Sequence, residues 1–243
     1  MAQSQKHLLT QSATNPAMSA RAKYEQGVLP TLLEVRVGSP GQIKGITLQS
    51  QSLKNFAETA KGSIKEIGST HWRVMDDHTL TEAAKLVRSA TNAEQKIKLA
   101  RQQFGRLAEG ALDQITRLQK ELKSTTKPPA SVGDALVDGE LRALIRAEKD
   151  ASKQLAMVRS DPAMLGAAAR APAALSGLAA DVHANIQTEH MKASDPETYE
   201  IYEDLQAAFN CADQALRAIE GQATALIDFD TARELGARQV INI

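Results

Sequence analysis

The stretch TLTEAAKLVRSATNAEQKIKLARQQFGRLAEGALDQITRLQKELK, residues 79–123, decides the fold class. Leu80, Ala83, Val87, Ala90, Glu94, Ile97, Arg101, Phe104, Ala108, Ala111, Ile115, Leu118 and Leu122 follow one another at alternating spacings of three and four. That period lines one face of a long α-helix, with Glu94 and Arg101 as its polar members. A flanking row of Leu86, Ala93, Ala100 and Leu107 widens the stripe. A two-stranded coil needs only the narrow seam, so the extra row predicts burial against more than one neighbour. Thr79 as N-cap with Glu82 three residues on gives a capping box. Lys120, Lys123 and Lys127 stand at the C-terminal end, where the helix dipole favours cations, and Pro128-Pro129 stops the helix. At 1.5 Å per residue such a helix would be about 66 Å long.

Two further segments repeat the pattern. Val137, Leu141, Leu144, Glu148, Ala151, Leu155 and Val158 predict a second long helix over 134–159, joined to the first by a connection short enough for an antiparallel hairpin. Asp195-Pro196 is a helix start, followed by the acids Glu197, Glu200, Glu203 and Asp204. Behind it, Tyr202, Leu205, Phe209, Ala212, Leu216, Ile219, Ala223 and Leu226 predict a third helix over 196–227. Shorter helices are expected over Leu53–Ile67, ended by Gly68, from Asp161-Pro162 to Arg170, and over Leu178–Met191.

The ends of the chain read differently. Residues 1–26 form a polar tail. The first 24 residues contain no acid, which resembles a transit peptide in composition only, and a loosely docked tail is expected. Over 27–50, Leu33, Val35 and Val37 alternate with Glu34 and Arg36. Gly38-Ser39-Pro40-Gly41 then supplies a turn, and Ile46 and Leu48 alternate about Thr47. This predicts a small β-hairpin. Residues 230–243 form a C-terminal tail in which Val240–Ile243 is a candidate third strand. The expected fold is therefore mostly α: an elongated antiparallel helical bundle or coiled coil over 51–229, with a small N-terminal β-hairpin.

Composition agrees. Apolar residues make up 42% and charged residues 24%, a folding mixture, while aromatics are only 3%. Ala, Leu, Ile and Val must fill the interior, and small side chains suit helices that approach closely along their length. Net charge is zero but uneven: residues 1–130 hold 19 Lys+Arg against 11 Asp+Glu, and residues 131–243 hold 10 against 18. Opposite halves of this kind can pack on each other or favour head-to-tail association of copies. Cys211 stands alone, which excludes an intrachain disulfide and fits a reducing compartment. No apolar run approaches the roughly 20 residues of a membrane span.

Motifs for chemistry are missing. Gly38, Gly41, Lys44 and Gly45 lack the spacing of a phosphate-binding loop. The five histidines form no i, i+4 pair, and no Glu precedes any of them by three. His71 and His78 are expected, with Asp76 and Asp77, in a solvated inter-helix loop. Cys211 is expected as a half-buried filler, and no nucleophile elbow occurs. No catalytic, cofactor-binding or metal-ligating residue is assigned, and an enzyme is not expected.

What remains is contact chemistry. Glu94 and Arg101 occupy buried-type positions seven residues apart, too far to pair within one helix: either partners on neighbouring helices fix register or oligomer state, or this stretch of the helix protrudes and is exposed. The apolar segment from Met164 to Leu178, with Met164 and Leu165 foremost, would either dock a partner or close one end of the bundle. The expected function is a non-enzymatic structural, assembly or adaptor protein with protein partners, most simply other copies of itself. Its setting would be the cytoplasm, or a phage or mobile-element particle or other bacterial assembly. The alternative is nucleic-acid association through Lys96, Lys98, Arg101 and Arg106, although a pI near 7.0 is low for a dedicated binder.

Overall fold

A computed structural model describes residues 47–241, and every regular element among them is helical. In chain order these are α1 (Leu48–Met75), α2 (Glu82–Ser124), α3 (Val132–Ala147), α4 (Ala151–Ser160) and α5 (Pro162–Ala169). They are followed by α6 (Ala173–Ser176), α7 (Ala180–Ser194), α8 (Pro196–Leu226) and α9 (Phe229–Ile241). The described residues divide into two compact units, one of 47–111 with 207–241, the other Leu112–Gln206. Both α2 and α8 contribute to each unit.

In the first unit, α1, the first part of α2 and the second part of α8 lie side by side. Each supplies one phenylalanine to a stack: Phe56 to Phe104 and Phe104 to Phe209, with ring centroids 5.8 Å apart in both pairs. Phe56 meets Phe104, Glu66 meets Lys96, and His71 meets Ser89, so α1 and α2 run antiparallel. Phe104 meets Phe209 and Arg101 meets Glu220, so α2 and α8 do the same. Between these points the interior is largely alanine. Ala57 and Ala60 of α1, Ala90, Ala93, Ala100, Ala108 and Ala111 of α2, and Ala208, Ala212, Ala215 and Ala223 of α8 are all buried. Side chains this small let helix axes come close, and the three rings fill the gap that alanine leaves. Ala90, Ile97, Ala108 and Ala111 of the first expected row and Ala93 and Ala100 of the flanking row are buried here, as two neighbours require, whereas Glu94 and Arg101 of the first row are exposed.

Several boundaries differ from expectation. Thr47 and Leu48, expected at the end of a strand, are the cap and first residue of α1, with the Thr47 hydroxyl accepting the Ser50 N–H at 3.1 Å. The rest of the expected hairpin lies outside the described residues. Gly68 does not end α1 but is buried within it. Ile64 and Ile67 before it and His71 and Val74 after it keep one buried stripe running through Gly68, which offsets the roughly 1 kcal/mol helix penalty of glycine. His71 is thus an interior helix residue and not part of a loop. Thr81, not Thr79, caps α2, taking the Ala84 N–H at 3.3 Å, while Thr79 turns back to Asp77 and Glu82 pairs with Lys85. At the far end Val240 and Ile241 belong to α9, so the candidate C-terminal strand is corrected, with its last two residues outside the described part. Asp228 takes the Thr231 N–H ahead of α9, and Ala232 is buried.

The second unit is built around α5. This helix, PAMLGAAA, has no polar side chain, and its residues from Gly166 to Ala169 are buried against α3, α4 and α7. A helix apolar on every side has no face to give to water. Its core joins Ile145 of α3, Val158 of α4, Ala168 and Ala169 of α5, Leu178, and Ile186 of α7, with Met164 and Leu165 packed against them. The expected long helix over 134–159 is broken. Glu148-Lys149-Asp150 is a non-helical link with Glu148 and Asp150 in extended backbone, and the Asp150 carboxylate accepts the N–H groups of Ser152 and Lys153 to start α4. A charged triplet with a good N-cap residue overrides the heptad spacing that runs through it.

Replacing Phe104, the middle ring of the stack, with Ala removes two aromatic contacts at once. Urea unfolding should show a loss of about 3 kcal/mol, with Phe104→Leu losing clearly less.

Candidate functional site

The last carbonyls of a helix need partners, and those of α5 are inside the protein. Each is met by a side chain from a neighbouring helix. Arg142 of α3 donates to the Ala167 carbonyl at 3.2 Å. His183 of α7 donates through Nε2 to the carbonyls of Ala171 at 2.7 Å and Ala168 at 3.2 Å, which assigns the ring proton to that nitrogen. Gln187, one turn on, donates to the Ala169 carbonyl at 3.1 Å. Just past α5, Arg170 folds back over the helix and grips Asp138 of α3 with two bonds, Nε–Oδ2 at 2.9 Å and Nη2–Oδ1 at 2.6 Å. The Asp138 side chain is only 5% exposed, and its bond to Arg170 holds the guanidinium pKa above its ordinary value. Arg170 can cross there because residue 166 is glycine: a Cβ at that position would sit 2.6 Å from the Arg170 Nη1. This clasp was not legible in the sequence, because its donors come from α3, α7 and Arg170 and all but one of its acceptor groups, the Asp138 carboxylate, are backbone carbonyls.

The clasp sets which way α3 faces. Asp138, Leu141, Arg142 and Ile145 point inward, and the opposite side carries Val132, Leu136, Val137 and Leu144, which are 77%, 66%, 54% and 55% exposed. These four occupy roughly 140° of the helix circumference at 3.6 residues per turn. Glu140 is the charged side chain in their midst. The expected buried row of α3 contained Val137 and Leu144, so the helix is rotated relative to the heptad reading. Facing this way, α3 places Asp138 beside Arg170 and Arg142 and puts Ile145 into the core.

Other residues singled out from the sequence are placed as follows. Glu94 and Arg101 are exposed, not buried, and each pairs with a neighbouring helix of the same chain. Arg101 Nε lies 2.6 Å from Glu220 Oε1, and Arg233 Nη2 lies 3.2 Å from Glu94 Oε1. Lys96 is bonded to Glu66, while Lys98 and Arg106 have no ion-pair partner among the described residues. The four basic residues therefore do not act as one free cationic face. Met164 and Leu165 are half-buried and pack against the second unit's core. Cys211 is buried in the first unit, 5% exposed. Among the described residues no three His, Cys, Asp or Glu side chains converge on a metal position, and no helix is long and apolar enough to cross a membrane.

Two histidines link the fold to pH. His71 accepts or donates at Nδ1 to the Ser89 hydroxyl at 2.7 Å, and burial holds its pKa below the ordinary 6.5. His190 sits with Nε2 3.2 Å from the Thr125 carbonyl. Burial again lowers its pKa, aided by the Arg170 charge and opposed by that carbonyl and by Asp138. Compared with models of protein families, with curated proteins and with solved structures, the chain matches none.

Asp138→Ala should cost about 3 kcal/mol, because it leaves Arg170 unpaired in a half-buried place and removes the carboxylate beside Arg142. Asp138→Leu combined with Arg170→Met should cost less than the single change, by chemical denaturation of each. Gly166→Ala should destabilise although alanine is the better helix former, since its methyl displaces the Arg170 bridge. Both lowered histidines favour the neutral ring in the folded state. Their contribution is complete above about pH 6.5 and is lost as pH falls through the folded values. Urea unfolding at pH 7.5 should therefore give a larger stability than at pH 5, and His71→Asn should flatten that difference.

Proposed function

We propose that this chain is a non-enzymatic structural, assembly or adaptor protein that works through helix surfaces, with the outer face of α3 as its principal contact. The supporting observation is that face itself. Four large aliphatic side chains on one helix stand in water, anchored from behind by the Asp138 clasp. Contiguous apolar surface of this kind favours a partner, and a rigid helix presents it without an ordering cost at binding. In this reading the antiparallel neighbours of the first unit form a helical bundle that serves as scaffold, and a second copy of the chain is the first partner to consider. Nucleic-acid association is less well supported, because Lys96 and Arg101 already serve Glu66 and Glu220.

Light scattering over a concentration series tests the proposal. The wild type should exceed the 26.2 kDa of one chain, and Leu136→Glu with Leu144→Glu should return it to that mass with an unchanged helical circular dichroism spectrum. A wild type that stays at monomer mass up to high micromolar concentration, alongside an indistinguishable double variant, would rule out self-association through α3. A salt titration on duplex and single-stranded DNA addresses the other reading, which ends if nothing binds at low salt.

A further inference from the structure

The first unit contains an open groove of about 1020 Å³. One wall is α2, with Ile97, Lys98 and Arg101; the other is the end of α8 and the start of α9, with Leu226, Ile227 and Phe229. Ile97 and Ile227 lie at its base, 8% and 2% exposed, and half-buried Leu226 and Phe229 supply accessible apolar surface beside them. The rim is mixed: Lys98, Arg101 and Arg233 stand among Glu94, Glu220, Asp228 and Asp230. A small ligand of one charge sign meets as much repulsion as attraction there. A peptide with apolar side chains at every second position and charges of both signs between them suits such a groove.

The chain carries that peptide. Residues 32–37 read Leu-Leu-Glu-Val-Arg-Val, so Leu33, Val35 and Val37 alternate with one acid and one base. They precede the described part of the chain, which begins at Thr47. The start of α1 lies beside Gly110, where a Cβ would meet the Gln49 side chain at 2.7 Å. From that level to Ile97 and Arg101 is roughly 14–20 Å along α2, at 1.5 Å per residue. The ten residues from Val37 to Thr47 reach up to about 35 Å. A tether this short keeps the run at an effective concentration in the millimolar range, well above that of a second copy at micromolar protein.

We propose that the run Leu32–Val37 seats in this groove of its own chain, with Leu33, Val35 and Val37 on the Ile97–Ile227 floor. Glu34 then supplies an acid for Lys98, which has no ion-pair partner among the described residues. The proposal does not rest on the reading of α3.

Paired cysteines in the full-length chain test it, in a Cys211→Ala background. Val35→Cys with Leu226→Cys should close an intrachain disulfide under mild oxidation at low protein concentration, while Val35→Cys with Gln95→Cys, an exposed control on α2, should not. Predominantly interchain disulfide would assign the groove to a second copy and overturn the proposal. No disulfide, or equal yields in both pairs, would overturn it as well. A readout without new cysteines is amide exchange in the otherwise native chain. Leu33→Asp with Val35→Asp should speed exchange at residues 224–230 by at least roughly tenfold, and unchanged exchange there rejects the proposal.

Discussion

Everything in this protein depends on how closely alanine lets helices approach. With aromatics at 3% of the chain, neither unit has bulky rings to spread across a wide interior. The first unit answers with alanine rows on α1, α2 and α8 and one stack of three phenylalanines. The second answers with an eight-residue helix of small apolar residues enclosed by three others. In both cases small buried side chains fill the interior that large ones would otherwise occupy.

Close approach creates the second unit's polar problem. A short helix with no polar side chain brings its terminal carbonyls inside, where each unmatched one is costly. Arg142, His183 and Gln187 meet them, and Arg170 returns over Gly166 to Asp138. Because Asp138 and Arg142 belong to α3, satisfying α5 also fixes the rotation of α3. The outward apolar face is a consequence of the inward hydrogen bonds. Stability and the proposed contact surface are coupled through that one helix.

Charge is redistributed by the fold. The first 130 residues are basic and the remainder acidic, yet the first unit draws on both halves, because α8 and α9 return to pack beside α1 and α2. Ion pairs such as Arg101–Glu220 and Arg233–Glu94 join residues more than a hundred positions apart. They are exposed and contribute little energy individually. Their value lies in aligning α8 and α9 against α2, and a segregated sequence becomes a mixed surface.

Read alone, the sequence determined that the chain is mostly helical, where α2 and α8 begin and end to within a few residues, and that α2 must meet more than one neighbour. Those properties are local or periodic: caps, prolines and spacings of three and four act within a few residues of one another. The tertiary structure decided the continuation of α1 through Gly68, the break at Glu148–Asp150, the rotation of α3 and the inward place of Met164 and Leu165. It also decided that Glu94 and Arg101 would be surface pairs and not buried ones. In each case the competing local choices differ by about 1 kcal/mol, and distant partners tip the balance. Asp138 with Arg142, and His183 with Gln187, each stand four residues apart, but nothing in the sequence links the two pairs to each other or to Arg170, because what unites them is the end of α5 once it has been enclosed.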